Sequence, residues 1–132
     1  MKKLLVIILV LLFLPVIDRA ASESLPENDG NDEVYSVLHL SDLGLSHDAF
    51  SFALRGFEKL RKEGKLLNQS VLTIIDFSQS STKKRMYVID LAKKVLLFNT
   101  YVAHGRNTGD EFAQRFSNIP GTFQSSLGFY LT

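Results

Sequence analysis

The hydrophobic period of the sequence changes near Ser70, and this change decides the fold class. Before it, apolar residues recur at spacings of three and four, as on one face of a helix: Phe50, Ala53, Leu54, Phe57 and Leu60. After it come short runs rich in β-branched and aromatic residues, typical of strands: Val71–Phe77, Arg85–Leu91, Val95–Ala103 and Thr122–Leu131. The sequence therefore predicts an α+β fold, with a helical segment (residues 34–66) followed by a mostly β part (residues 67–132).

The ends of the helical elements are marked by residue types that favour them. Ser46 is a good N-cap and Gly64 a good C′ residue for the helix that carries the apolar stripe. A shorter helix is predicted from Glu33 to about Leu40, with Gly44 ending it. Together these predict a helical hairpin that packs against something larger. Gly56, inside the second helix, is expected to let a neighbour approach closely.

The connections between the predicted strands are polar. Ala92–Lys94 is short enough for a tight turn, so Arg85–Leu91 and Val95–Ala103 are predicted to form a β-hairpin. The basic residues of Lys83–Arg85 and of the turn fall at opposite ends of the hairpin's first strand. We expect them to form a solvated edge.

The first 22 residues have the pattern of a secretory signal peptide. Two lysines precede the unbroken apolar run Leu4–Leu14, and the small residues Ala20–Ser22 suit a signal-peptidase site. A spanning helix needs about 20 apolar residues, more than this run supplies. The leader predicts export to the periplasm or cell envelope with no stable membrane span after cleavage; a retained anchor is the alternative. Residues 23–33 are acidic and predict a flexible linker.

Charge and cysteine content exclude several classes of function. Without its first 22 residues the chain keeps 12 basic and 13 acidic residues, so no electrostatic case for nucleic-acid binding remains. It contains no cysteine, hence no disulfide, no thiolate metal site and no Cys nucleophile. The three histidines, His39, His47 and His104, have spacings that match no metal-ligand pattern, and no metal or cofactor is predicted.

The segment most indicative of function is the rim loop (residues 103–121). It is long for a connection between strands, and such loops tend to be functional or disordered. Gly105 and Gly109 permit close approach of a ligand, while Arg106 and Arg115 suit a carboxylate. The loop therefore predicts a binding rim for an acidic or peptidic ligand, with an ordinary solvated loop as the alternative.

The sequence stops within an apolar strand pattern at Thr132, which predicts a truncated domain rather than a complete small fold. Several motifs then occur in order, among them Asn99–Asn107 (NTYVAHGRN), Phe116–Gly121 (FSNIPG) and Ser125–Thr132 (SSLGFYLT). In these the chain, over roughly residues 45–132, resembles the murein L,D-transpeptidase catalytic domain family, a branch of the YkuD-like enzymes.

This resemblance implies a curved mixed sheet or sandwich and an enzyme that crosslinks peptidoglycan stem peptides. In the family a cysteine attacks the carbonyl of an L-centre residue, a D-amino acid leaves, and an amine of a neighbouring stem takes the acyl group. The family's catalytic His and Cys belong to a later segment with a His-Gly and a Gly-Cys pair, so no catalytic residue is carried over onto this chain.

The resemblance implies only substrate-binding residues here: His104, Gly105, Arg106, Asn107, Asn118 and Gly121. Two hypotheses follow for the chain's function. It is the N-terminal part of a cysteine-dependent L,D-transpeptidase whose nucleophile lies beyond Thr132, or it is a non-catalytic exported protein that binds wall peptides. A secreted interaction domain with no wall role is a third alternative.

Overall fold

The computed structural model describes residues 29–132, with side chains described from Glu33 onward. The predicted signal peptide and the first part of the predicted linker lie outside these residues. Two helices precede three strands: α1 (Asp29–Val37), α2 (His47–Lys62), β1 (Val71–Ile75), β2 (Met86–Asp90) and β3 (Val95–Thr100). This order confirms the α+β class. Among residues 29–132, no helix combines the length and the apolar character that crossing a membrane requires.

Helix α2 is formed as its sequence predicts. The Ser46 side chain caps it by accepting a hydrogen bond from the Ala49 amide at 3.2 Å, and Gly64 follows its end with φ 67°. Three residues of the apolar stripe, Phe50, Leu54 and Phe57, are buried. A periodic apolar face with a polar cap at its start is enough to specify this element.

Helix α1 begins and ends earlier than predicted. It covers Asp29–Val37, and His39 then takes a left-handed conformation with φ 49°. This turn carries Leu40 fully into the core and leaves Val37 53% exposed. The helix therefore ends before its predicted end at Leu40, because the chain turns at His39.

The sheet is antiparallel in the order β1-β2-β3, and its β2–β3 hairpin confirms the prediction. Asp90 accepts a hydrogen bond from the Lys93 amide at 3.0 Å and so fixes the turn, where Lys94 has φ 52°. A bulge lies between Val88 and Ile89 in the pairing with β3. The described residues form one three-stranded antiparallel sheet. The curved mixed sheet or sandwich that the resemblance implies stays a prediction.

The core lies between the two helices and one face of the sheet. Its buried apolar residues are Val34, Leu40, Leu45, Phe50, Leu54, Phe57, Leu72, Ile74, Tyr87 and Ile89. The hydroxyl of the fully buried Tyr87 donates to the Leu43 carbonyl at 2.8 Å and accepts from the Gln79 amide at 3.1 Å. This polar contact fixes the α1–α2 connection on the sheet.

The predicted fourth strand is wrong. The C-terminal segment (residues 122–132) contains no strand, and Phe123 and Gly128 have φ values of 56° and 137° that interrupt an extended chain. Its backbone bonds the rim loop instead of a strand, as in the pair formed by the Ser117 amide and the Ser125 carbonyl at 3.0 Å. An apolar pattern alone did not reveal that this backbone would bond the rim loop.

Candidate functional site

The rim loop follows β3 without regular secondary structure and folds back on the C-terminal segment. Thr108, fully buried, is its centre. The Thr108 carbonyl accepts from the Gln114 and Arg115 amides, both at 2.9 Å, and its hydroxyl accepts from the Ser125 amide at 2.7 Å. One threonine thus closes the loop on itself and joins it to the C-terminal segment.

Arg85 is the charged residue beneath this loop, and the structure corrects its predicted place in a solvated edge. Lys83 and Lys84 are exposed as expected, but Arg85 is fully buried. Its Nε and Nη2 donate to the Val102 carbonyl at 3.2 and 3.1 Å, and its Nη1 donates to the Gln79 carbonyl at 2.9 Å. Every side of the guanidinium is therefore bound to protein atoms.

The environment of Arg85 also affects its charge. Burial lowers the pKa of the Arg85 guanidinium, and the nearby Asp76 carboxylate acts in the opposite direction. The guanidinium carbon lies 5.1 Å from the centre of the Phe77 ring, which covers one side of the group. Arg85 is a structural cation here and is not open to a ligand.

His104 bridges Arg85 and the far end of the rim loop's first turn. Its Nδ1 lies 2.9 Å from Arg85 Nη2, and its Nε2 lies 3.0 Å from the Gly109 carbonyl oxygen. A guanidinium only donates, so Nδ1 accepts, and Nε2 carries the proton that is donated to Gly109. Both ring nitrogens are thus engaged within the protein.

A second contact ties the rim loop to the β1–β2 loop (residues 76–85). The Ser80 hydroxyl donates to the Glu111 carboxylate at 2.6 Å, and the Ser81 amide donates to the Glu111 carbonyl at 2.9 Å. The rings of Phe77 and Phe116 lie 5.7 Å apart, beside these bonds. Two loops distant in sequence are therefore held together by two hydrogen bonds to Glu111 and one ring pair.

Three predicted site residues, Gly105–Asn107, lie directly against the C-terminal segment. A Cβ at Gly105 would stand 2.4 Å from the Phe123 carbonyl oxygen, so only glycine allows this approach. The exposed Arg106 guanidinium lies 3.9 Å from the centre of the Phe123 ring. The Asn107 side chain donates to the Thr122 carbonyl at 2.9 Å.

The other two predicted residues, Asn118 and Gly121, line an open cavity of about 360 Å³. Its walls are residues 117–124 and Ser126. Thr122 and Phe123 form one wall; Asn107 bonds their backbone, and Arg106 stacks on the Phe123 ring. The four predicted residues Arg106, Asn107, Asn118 and Gly121 thus line or support one space. His104 and Gly105 lie behind that wall. Contact of any of the six with substrate stays a prediction.

The sequence interpretation missed Arg85, Thr108 and Glu111, and one signal was available for Arg85. Arg85 comes directly before β2 and is two residues from Tyr87, which is in turn two residues from Ile89; both of these are core residues. The strand period thus indicated a buried arginine. Nothing comparable marks Thr108 or Glu111, whose partners lie far along the chain.

The described side chains, residues 33–132, include no group of three His, Asp or Glu placed to hold a metal ion. With no cysteine in the sequence, the site presents hydrogen-bond donors, an exposed arginine and a cavity, and no thiol. Chemically, this arrangement suits binding of a polar, carboxylate-bearing ligand.

Comparison with known proteins gives the family. No curated protein and no solved structure matches the chain. The family model for the L,D-transpeptidase catalytic domain matches residues 41–132, a range that includes α2, the whole sheet, the rim loop and the cavity. Since this match covers well over half of the sequence, the chain belongs to the L,D-transpeptidase catalytic domain family.

Proposed function

We propose that this chain supplies the stem-peptide-binding part of an exported L,D-transpeptidase of the cell envelope. The acyl transfer between stem peptides uses a cysteine nucleophile that lies beyond these 132 residues. The observation that carries the proposal is the exposed Arg106 guanidinium, held on the Phe123 ring at one wall of the cavity, in a family that acts on peptidoglycan.

The chemistry of the ligand fits this placement. A stem peptide carries carboxylates, including that of the D-amino acid that leaves in the reaction. An arginine fork binds a carboxylate through two parallel hydrogen bonds, and a guanidinium stacked on an aromatic ring is already oriented for them. Arg115, also exposed, follows Gln114 in the turn closed by Thr108 and is the second cation of the rim loop.

Binding to purified sacculi tests the proposal. We expect Arg106→Ala to weaken binding of the full chain about tenfold or more, since a hydrogen bond to a charged group contributes roughly 1.5–3 kcal/mol. Arg106→Lys keeps the charge but not the fork and should recover only part of the loss. Arg115→Ala tests the second cation in the same assay.

Arg55→Ala is the matched control, because Arg55 is also exposed beside an aromatic ring but lies on α2, over Phe52. If Arg55→Ala and Arg106→Ala weaken binding equally, the interaction is a general charge effect. Unchanged binding in both rim-loop variants would remove this loop from the account of recognition.

The alternative function is that of a non-catalytic exported protein that binds wall peptides. The gene sequence after codon 132 separates the two. An in-frame segment with a His-Gly and a Gly-Cys pair supports the transpeptidase. A stop codon there leaves the binding function. Export itself is tested by fractionating cells that express the full chain and locating it in the periplasm or envelope.

A further inference from the structure

Arg85 and His104 form the one described contact between a buried cation at the sheet and the tip of the rim loop. Arg85 donates to two carbonyl groups, those of Gln79 and Val102, and then to the His104 ring. The carbonyls belong to the chain segments on either side of it and hold the guanidinium in place. The hydrogen bond to the His104 imidazole therefore joins Arg85 to the rim loop.

The His104 ring also bonds the other end of the loop tip. Its other nitrogen donates to the Gly109 carbonyl, five residues further on, so the ring spans the turn from residue 105 to residue 109. Gly109 has no room for a side chain, since a Cβ there would stand 2.1 Å from the Phe112 carbonyl oxygen. The tip therefore has a fixed start and a fixed end.

Between these ends lie the groups that hold the cavity wall. The Asn107 amide donates to the Phe123 carbonyl at 3.1 Å, its side chain donates to the Thr122 carbonyl, and Arg106 stacks on the Phe123 ring. Thr122 and Phe123 both line the cavity. A change at His104 thus reaches the cavity through two residues and without any direct contact with a ligand.

We infer that Arg85 and His104 are positioning residues for the cavity, and that the two hydrogen bonds of the His104 ring keep the cavity wall in place. The inference deepens the proposed function and rests on it, because it concerns how the same cavity is kept in its peptide-binding conformation. Neither side chain touches the ligand.

The two bonds require one tautomer of the ring. A guanidinium can only donate, so Nδ1 keeps its lone pair for Arg85, and Nε2 carries the proton that is donated to Gly109. An amide side chain of the right length can replace either nitrogen, so each bond can be removed separately.

The test compares variants of the full chain that separate the two bonds of the ring. In His104→Asn the side-chain oxygen takes the place of Nδ1 and still accepts from Arg85. In His104→Gln the longer amide takes the place of Nε2 and still donates to Gly109. Each variant therefore keeps one of the two bonds. His39→Asn is the control, since it removes an exposed imidazole at a left-handed position that asparagine tolerates.

Two measurements are made at pH 8. Two-bond proton–nitrogen NMR should show His104 of the wild type as the Nε2–H tautomer. Wild type and His39→Asn should bind sacculi equally. Each His104 variant should bind about tenfold more weakly, as for the loss of one charge-assisted hydrogen bond.

An Nδ1–H tautomer in the wild type overturns the inference, and so does binding by both His104 variants that equals that of the wild type. The amide resonances of Thr122 and Phe123 distinguish the inference from the proposed function. If the wild type binds no sacculi, the proposed function fails. The positioning role then stands if these resonances are shifted in the His104 variants and unchanged in His39→Asn, and it fails if they are unchanged in all three.

Discussion

Residues 33–100 and residues 101–132 are stabilised by different kinds of interaction. In the first region ten apolar side chains are buried between the helices and the sheet. In the second, Thr108 is the one buried residue, while Phe112, Ile119, Phe123 and Leu131 are among the exposed apolar ones. The first region is organised by the hydrophobic effect, and the second by hydrogen bonds from side chains to backbone.

This difference also gives the two regions different roles, stability in the first and recognition in the second. A core of packed apolar groups resists local change, since each residue contacts many others. A loop fixed by a few polar contacts, such as those of Thr108 and His104, can change its conformation when one contact is lost. The cavity lies in the second region, where such contacts control its shape.

The largest effect is expected from truncation in the first region. Phe50 is 1% exposed, so Phe50→Ala should lower the free energy of unfolding by about 3–5 kcal/mol, from lost burial and the cavity left behind. Urea denaturation of the full chain measures it. Phe52→Ala, on the same helix but 56% exposed, is the control and should cost much less. Equal losses would mean that α2 does not bury the face described.

A smaller effect, confined to the second region, is expected from Thr108→Val. Valine keeps the shape but removes the oxygen that accepts from the Ser125 amide, at a cost of about 1–3 kcal/mol for the unpaired donor. Hydrogen exchange should show faster exchange at Ser125, with the core amides of β2 unchanged. Thr73→Val, at an exposed position of β1, should change neither. Faster exchange throughout the sheet would show that the two regions are one cooperative unit.

A third prediction concerns the buried hydroxyl of Tyr87. Burial raises the pKa of the Tyr87 phenol, the hydrogen bond from Gln79 lowers it, and Asp76 raises it further. Because the folded-state value lies above the unfolded value of about 10, the phenol's contribution to stability is fully present below pH 10. It is lost as the pH rises through the folded-state value.

Tyr87→Phe should therefore flatten the alkaline decline of stability above pH 10. At pH 7 it should cost about 1 kcal/mol, because the Leu43 carbonyl and the Gln79 amide lose their partner. Denaturant titrations at pH 7, 9, 10 and 11 measure both effects. Tyr101→Phe, at a side chain 59% exposed, is the control. An alkaline decline unchanged in Tyr87→Phe would contradict the assignment; part of the slope belongs to Tyr35, whose pKa burial also raises.

The sequence was sufficient for the first region because its interactions leave a periodic trace. The interactions that form α2 and the hairpin join residues close in sequence. They are the Ser46 cap, the apolar stripe from Phe50 to Leu60 and the Ala92–Lys94 turn, so spacing alone located both elements. The family resemblance, now shown, also predicted a binding groove, which the spacing of apolar residues could not predict.

The second region could not be predicted in the same way. Its apolar residues alternate as in a strand, yet the backbone of Ser125 bonds Thr108 and Ser117, at separations of 17 and 8 residues. Such bonds depend on where the chain has been brought by the rest of the fold. The sequence contained the donors and acceptors but no trace of their pairing.

The smallest effect is expected where the two regions touch, at Gly56. A Cβ there would stand 2.0 Å from the Phe129 ring, which stacks on Phe52 with ring centres 5.3 Å apart. Gly56→Ala should displace this ring while gaining up to about 1 kcal/mol of helix propensity, so the free energy of unfolding should change by less than about 1 kcal/mol. Chymotrypsin should then cleave faster after Phe129, and Lys59→Ala, exposed on the same helix, should not change the cleavage rate. A large loss of stability would instead mean that Phe129 belongs to the core of the first region. The region stabilised by apolar packing would then extend beyond residue 100.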